Sequence, residues 1–224
     1  MNGPKEQIWQ SPNCCRQKIR HFCGSFPSLC SAIRGALKVA STQLEVLDAE
    51  LRSSNAHQPI HYMESRIKTP KSLFDKMRKK GFEINMRNVQ RITDIAGIRV
   101  VCSYTQDIYY LYDLIQKSEC FKILRVRDYI RSPKPNGYRS LHLVVTVPVH
   151  LSEGTLNLPV EVQLRSIAMD LWASLEHELR YKSDRIFSEE DEQKLLSCAE
   201  TLAVVDAQMQ ELFRREEPES EMEG

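Results

Sequence analysis

An α+β fold is expected, with a mixed β-sheet of about five strands flanked by helices and with helical extensions at both ends. Three features of the 224-residue sequence predict it. Leu156, Leu158, Val160, Val162 and Leu164 alternate without a break, which is the period of a strand with one buried face. Ile33, Leu37, Ala40, Leu44, Leu47 and Leu51 recur at the spacing of an amphipathic helix. The elements run helix, helix, strand, helix, three strands, helix, helix, an order that suits one sheet covered by helices.

Residues 1–30 read as a variable, loosely structured leader. Cys14, Cys15, Cys23 and Cys30 crowd it together with His21, but no C-x2-C pair supplies the spacing of a zinc site. A domain over 31–182 begins with the helix of Ile33 to Leu51, which Ser53 to Pro59 breaks. Thr69-Pro70 then opens a short helix with Leu73, Phe74 and Met77 on its apolar side, since proline suits the first helical position. Asp94 to Cys102 reads as a buried strand carrying two charges. Strict alternation separates Asp94 from Arg99, so the two share a face only if Gly97 marks a bulge. Asp107 to Lys117 is a helix, Phe121 to Ile130 a strand, and Leu141 to Val147 the next strand, with His142 on the face opposite Leu141, Leu143 and Val145. After the strand of Leu156 to Leu164, the stripe Ile167, Ala168, Leu171, Trp172, Leu175 and Leu179 traces a helix. Residues 183–214 form a last helix suited to packing on the domain or on another subunit, followed by an acidic tail at 215–224.

Composition narrows the classes. The 42% hydrophobic and 27% charged content is that of a soluble globular protein. No apolar run approaches the roughly 20 residues of a membrane span, and the N-terminal stretch lacks the apolar core of a signal peptide. Seven cysteines without framework spacing agree with a reducing compartment, so a cytoplasmic location is expected. The net charge is only +1, yet Arg66 to Arg91 is strongly basic, which favours one specific anionic ligand over bulk polyanion binding.

Three stretches carry the chemistry. The first, Arg127 to His142, holds Pro133, Pro135 and Asn136-Gly137, so its shape is set before any ligand arrives. It gathers Arg127, Arg131, Lys134 and Arg139 around Tyr138, and suits a ligand with phosphates and a base; a polar surface hairpin is the alternative. The second is the helix start at Thr69-Pro70, where free N–H groups lie beside Arg66, Lys68, Ser72 and Lys76, either a phosphate site or a solvated basic helix. In the third, period-two alternation puts Glu161, Gln163 and Arg165 together on the face opposite Val160 and Val162, as a functional row or an open sheet face.

Taken together, Arg66-x-Lys68-x-x-x-Ser72, Asp94-x-x-Gly97-x-Arg99, Arg127-Asp128-Tyr129 with Lys134-x-x-Gly137-Tyr138-x-Ser140-x-His142, Glu161-x-Gln163-x-Arg165, and Trp172-Ala173-x-x-Glu176-His177 occur in this order. Over about Ile60 to Lys182 this resembles the synthetase domain of the RelA/SpoT homologues, in the single-domain form of the small alarmone synthetases. The His-Asp metal motif of the hydrolase domain in the long relatives occurs nowhere in this sequence, so degradation of the product is not expected.

The resemblance implies transfer of the β,γ-pyrophosphate of ATP to the 3′-hydroxyl of GDP or GTP. Asp94 and Glu161, expected as the two site carboxylates on strands, are assigned to catalysis and to Mg²⁺. Glu161 is also likened to the group that takes the 3′-hydroxyl proton. Lys68, Ser72 and Lys76 would hold the ATP phosphates, while Arg66 and Arg99 are likened to the pair that stacks on adenine. On the acceptor side Tyr138 would stack on guanine and Asp170 would read its paired N–H donors. Arg127 and Lys134 would meet the 5′-phosphates, with Gly137, His142, Gln163, Arg165 and Glu176 completing the GDP/GTP site. The family also implies homotetramers and, in some members, activation by the product pppGpp at a subunit cleft. Two alternatives remain: a toxin-like transferase acting on the 3′ end of tRNA, and a non-catalytic module binding guanine nucleotide or RNA.

Overall fold

The computed structural model describes residues 13–54, 57–83, 88, 91–152, 154–181 and 187–216, with 13–30 described by backbone alone. The clustered cysteines and His21 therefore lie outside the described side chains, as does the acidic tail.

The first helix, α1, spans Asn13–Ser54 and begins well before the expected Ile33. Gly24 and Pro27 lie within it, so most of the leader, expected to be loosely structured, is helical by backbone. Its C-terminal half buries Ala36, Leu37, Ala40 and Leu44 against the sheet, and a helix packed over part of its length propagates at one hydrogen bond per added residue. Strand β1 (Ile60–Ile67) is an element the sequence reading passed over. Only Ile60 in it is buried, so an edge strand with two exposed faces left no apolar alternation to find. Helix α2 (Pro70–Lys79) starts as expected: Thr69 is its N-cap and Thr69 Oγ1 accepts from Ser72 N at 3.3 Å.

Strand β2 covers Ala96–Cys102. Asp94 sits in the turn before it rather than within it, and the β1–β2 register runs unbroken through Gly97. No bulge is needed, because a residue outside the strand is free of its alternation. Helix α3 (Thr105–Lys117) buries Ile108, Leu111 and Ile115, and Asp107 Oδ2 accepts from Tyr104 N at 2.9 Å to close its N-terminus. Strands β3 (Lys122–Asp128), β4 (Leu141–Leu151) and β5 (Gly154–Ser166) precede the closing helices α4 (Ile167–Tyr181) and α5 (Glu189–Glu216).

The five strands form one mixed sheet in the order β1-β2-β5-β4-β3, with β2 and β5 parallel and the other neighbours antiparallel. One face is core: Leu141, Leu143, Val145 and Val147 of β4 and Leu158, Val160, Val162 and Leu164 of β5 pack with α1 and α3. Leu156, expected with them, is 41% exposed, although its cross-strand partner Val149 is buried. The opposite face carries His142, Glu161 and Gln163 and is overlaid by α4.

Helix α4 splits the expected stripe, burying Trp172 and leaving its other large members exposed. Ile167, Leu171, Leu175 and Leu179 are 46–50% exposed, whereas Met169, Asp170, Trp172 and Ala173 are buried. The apolar stripe points outward because the surface beneath the helix is polar. A second, smaller cluster joins Trp172, Ala173 and Ala199 with Tyr138, Leu195 and Leu202, which fastens α5 to α4.

Leu44 is fully buried where α1 crosses the sheet. Leu44→Ala should cost about 2–5 kcal/mol in a urea titration with an unchanged slope; a loss well below that range would show that α1 is not integral to the core.

Candidate functional site

Strand register builds the site floor. Across the polar face the paired residues Glu64, Arg99, Gln163, His142 and Arg127 form one row over all five strands. Arg66, Gly97 and Glu161 form the adjacent row. A Cβ at Gly97 would make only ordinary contacts, the nearest with Glu161 O at 3.7 Å. The glycine is therefore not forced by the backbone; it leaves the floor open between Arg66 and Glu161.

Above this floor lie two clefts that share Glu64, Arg66, Arg99 and Gln163. One is lined by Lys68, Asp94, Gly97 and Glu161 as well. The other adds Lys134, Asn136, Tyr138, His142, Arg165 and Glu176.

In the first cleft Lys68 N donates to Ile95 O at 2.8 Å, which ties the end of β1 to the start of β2 and brings Lys68 beside Asp94. Lys68 Nζ lies 2.7 Å from Asp94 Oδ2, and Lys76, one turn into α2, pairs with the same oxygen. Burial pushes the Asp94 carboxyl up, but the two lysines outweigh it and hold the group below the usual carboxylate range. Glu161 behaves alike. Burial raises it, while His142 and the Gln163 amide, donating to Oε2 at 3.0 Å, bring it below the usual range, and the charge of Asp94 acts against them. Two ionised carboxylates that repel one another across a cleft suit a cation between them.

Among the described residues no cluster of three or more His, Cys, Asp or Glu side chains could hold a metal. The pair nonetheless fits a hard divalent ion, which takes one or two carboxylates and completes its shell with phosphate and water. Asp94 Oδ1 is buried without a hydrogen-bond partner, as an oxygen reserved for a ligand would be.

The second cleft is shaped by the loop from Tyr129 to Ser140. Asp128 Oδ1 accepts from Ile130 N and Arg131 N at 2.9 and 3.0 Å and starts the turn. Gly137 N donates to Lys134 O at 2.8 Å, Lys134 N to Tyr138 O at 3.1 Å, and Tyr138 N to Asn136 Oδ1 at 3.2 Å. The expected stiffness is thus built from internal hydrogen bonds as well as from proline. Lys134 Nζ stands 4.3 Å from the Tyr138 ring centroid. Arg165 Nη2 donates to Tyr138 Oη at 2.8 Å, and the same hydroxyl pairs with His142 Nε2, 2.7 Å away. The other ring nitrogen, His142 Nδ1, faces Glu161 Oε1 at 3.6 Å.

Most of the expected residues converge: Arg66, Lys68, Asp94, Arg99 and Glu161 line the first cleft, and Lys134, Tyr138, His142, Gln163, Arg165 and Glu176 the second. Lys76 joins the first through Asp94. Four others are placed differently. Ser72 is exposed at the α2 cap, its hydroxyl accepting from Thr69 Oγ1 at 3.0 Å, outside the lining residues. Arg127 ends the row on β3, exposed, donating to Tyr129 Oη at 3.4 Å. Gly137 faces α5 rather than a cleft. Asp170 is buried between α4 and the floor, where it accepts from the Tyr62 hydroxyl and from Arg165 Nη1 at 3.0 Å and pairs with Arg99 Nη1 at 3.3 Å. Its oxygens are taken up by these donors, so it holds the two arginines instead of reading a base.

Residues the sequence reading missed are Tyr62 and Glu64 of β1, Asn136 of the loop, and Arg180 of α4. Tyr62, Glu64 and Arg66 alternate along β1, a polar period-two signal that could have exposed both the strand and its role.

The comparisons with known proteins come to the same place. Residues 65–186 match the family described as "Region found in RelA / SpoT proteins", more than half the chain, and the protein belongs to that family. It is 38% identical over 175 residues to GTP pyrophosphokinase YwaC of Bacillus subtilis, covering 78% of this chain and 83% of that one. To GTP pyrophosphokinase YjbM of the same organism it is 31% identical over 179 residues, covering 80% and 84%. The crystal structure of small alarmone synthetase 1 from Bacillus subtilis bound to its product pppGpp superposes with a TM-score of 0.79 at 29% identity, over 86% of this chain and 98% of that one. Small alarmone synthetase 2 from the same organism gives 0.78 at 34% identity, over 85% and 99%.

Three outcomes test this geometry. Because Asp94 and Glu161 are depressed when folded, the stability they contribute is complete above the unfolded carboxylate pKa and is lost as pH falls through the lower folded values, below about pH 4. In a carboxyl NMR titration, His142→Ala should raise the Glu161 midpoint, since burial remains after the His142 contact is gone; no rise would remove His142 from the site. Asp170→Ala, which strands Arg165 without its buried partner, should cost about 3–5 kcal/mol by chemical denaturation.

Proposed function

We propose that this protein is a GTP pyrophosphokinase of the small alarmone synthetase type, transferring the β,γ-pyrophosphate of ATP to the 3′-hydroxyl of GDP or GTP and releasing AMP. The observation that carries the reading is the pair Asp94 and Glu161, facing one cleft with a cationic half on one side and the Tyr138 half on the other. Pyrophosphoryl transfer asks for positioned cations around a migrating polyanion more than for covalent chemistry.

In the ATP half, Arg66 and Arg99 lie beside the adenine and Lys68 and Lys76 meet the phosphates, exchanging Asp94 for them as ATP enters. Ser72 presents its hydroxyl at the α2 N-terminus, where the helix dipole favours phosphate. In the acceptor half, the guanine stacks on Tyr138, with Glu176 and Asn136 at its edge, and Lys134 and Arg127 meet the 5′-phosphates. His142, Gln163 and Arg165 hold the ribose end near Glu161. Mg²⁺ is the cofactor that Asp94 and Glu161 would hold, and it supplies the positive charge that offsets the transferring phosphates.

The 3′-oxygen forms its bond to the β-phosphorus while the bond from that phosphorus to the α,β-bridging oxygen breaks. AMP leaves with the bridging oxygen, and the 3′-hydroxyl proton passes to Glu161, the carboxylate adjoining His142 and Gln163. The exposed ridge Ile167, Leu171, Leu175 and Leu179 and the exposed Val204, Val205 and Met209 support assembly into a homotetramer, with pppGpp as the ligand of a subunit cleft. No helix among the described residues is long and apolar enough to cross a membrane, which supports a cytoplasmic place of work.

The test is incubation with Mg²⁺, γ-labelled ATP and GDP, GTP or bulk tRNA. Label is expected in a guanosine product with AMP released, and Glu161→Gln should lower the rate by about a hundredfold or more while ATP still binds. Label passing only to tRNA would leave the ATP half and overturn the acceptor half, and nucleotide binding without transfer would leave a binding module.

A further inference from the structure

Helix α5 lies outside residues 65–186 and lines neither of the two clefts. Gly137 is under two constraints at once. Its φ is +87°, and a Cβ there would stand 2.5 Å from Ala199 Cβ and 3.2 Å from Leu196 Cδ1. The acceptor loop therefore touches α5 as closely as backbone can, one residue from Tyr138.

A second tie runs through Trp172. Its Nε1–H donates to Leu195 O of α5 at 2.9 Å, while its ring lies edge-on to Tyr138 with centroids 6.5 Å apart. A third is polar: Arg180 bridges Glu192 of α5 to Glu176, which accepts from Asn136 Nδ2 of the loop at 3.4 Å.

The far end of α5 is pinned to rigid elements. Asp206 Oδ2 accepts from Ser166 Oγ at 2.6 Å and Thr105 Oγ1 at 3.2 Å, Gln210 Oε1 accepts from Gln106 N at 2.8 Å, and Phe213 stacks on Tyr104 at 4.4 Å. Between these anchors and the loop lies a cavity of about 190 Å³, bordered by Ile130, Gly137, Met169, Trp172 and Leu202. Core packing does not fill the space behind the loop, so on that side its position is set by the line of contact with α5.

We propose that α5 is a clamp on the acceptor half of the site, with Ala199 and Trp172 as positioning residues that fix Tyr138 against the acceptor base. The inference rests on the assignment of Tyr138 to that base. Displacing the loop by a fraction of an ångström moves the stacking ring and leaves Arg66, Lys68 and Arg99, which stand on β1 and β2, where they were.

Steady-state kinetics and calorimetry with GDP separate the possibilities. Ala199→Leu, which pushes the loop away from α5, should raise the KM for GDP by about tenfold and weaken GDP binding in parallel, with the KM for ATP within about twofold of wild type. Trp172→Phe keeps the ring and loses the Leu195 hydrogen bond, so it should raise the KM for GDP by about threefold; it decides the matter if the leucine variant does not fold. Tyr138→Ala serves as the reference for the acceptor assignment. If Tyr138→Ala weakens GDP while neither α5-directed variant does, the clamp is overturned and the acceptor assignment stands. If Tyr138→Ala leaves GDP unaffected, the acceptor assignment fails and the clamp with it. Equal shifts in both KM values would also overturn the clamp, since they report general loosening.

Discussion

The register of the five strands is the constraint from which the site follows. Val160, Val162 and Leu164 are fully buried on one face of β5, so Glu161, Gln163 and Arg165 have only the other face available. A slip of one residue would bury the charged row and expose the apolar one. The parallel pairing of β2 with β5 then sets Arg99 opposite Gln163, and the antiparallel pairing of β4 with β5 sets His142 on the other side of the same residue. The apolar face specifies the position of groups that never touch it. Core stability and site geometry are thus one quantity read from two sides of the sheet.

Concentrating charge on a half-buried face is costly, and the structure offsets that cost by pairing. Asp94 has Lys68 and Lys76, Glu161 has His142 and Gln163, and Asp170 has Tyr62, Arg99 and Arg165. The three carboxylates differ in how much of their bonding is spent. Asp170 is enclosed by donors on both oxygens and is structural in effect. Asp94 has one oxygen in use and the other buried and unpartnered. That difference separates a carboxylate whose bonding is complete from one with an oxygen still to be satisfied.

Legibility in the sequence followed the same physics. Strand β5 was readable because burial on one face imposes an alternation that no surface strand needs, and the α2 start was readable because Thr69 and Pro70 have local chemistry. Strand β1 was not, since an edge strand with a single buried residue leaves no apolar period. Asp94 was placed within β2 because the buried run Ile95 to Cys102 extends up to it, yet it belongs to the preceding turn and so meets Arg99 on the same side without a bulge. The pairing of Asp170 is illegible for a different reason. A carboxylate near a basic pocket can face a ligand or brace the arginines, and only the three-dimensional arrangement of Tyr62, Arg99 and Arg165 decides between them.

Helix α4 shows how far amphipathicity can mislead when the partner surface is polar. The stripe Ile167, Leu171, Leu175 and Leu179 has the periodicity of a core face, and the rule that apolar faces point inward would bury it. Beneath the helix lie Arg99 and Arg165, so the face that fits inward carries Asp170, Trp172 and Ala173. The apolar side is left about half exposed. The same choice that pairs the charges of the site therefore creates the hydrophobic ridge. Opposite faces of a single helix thus carry the charge pairing of the polar sheet face and the exposed apolar ridge.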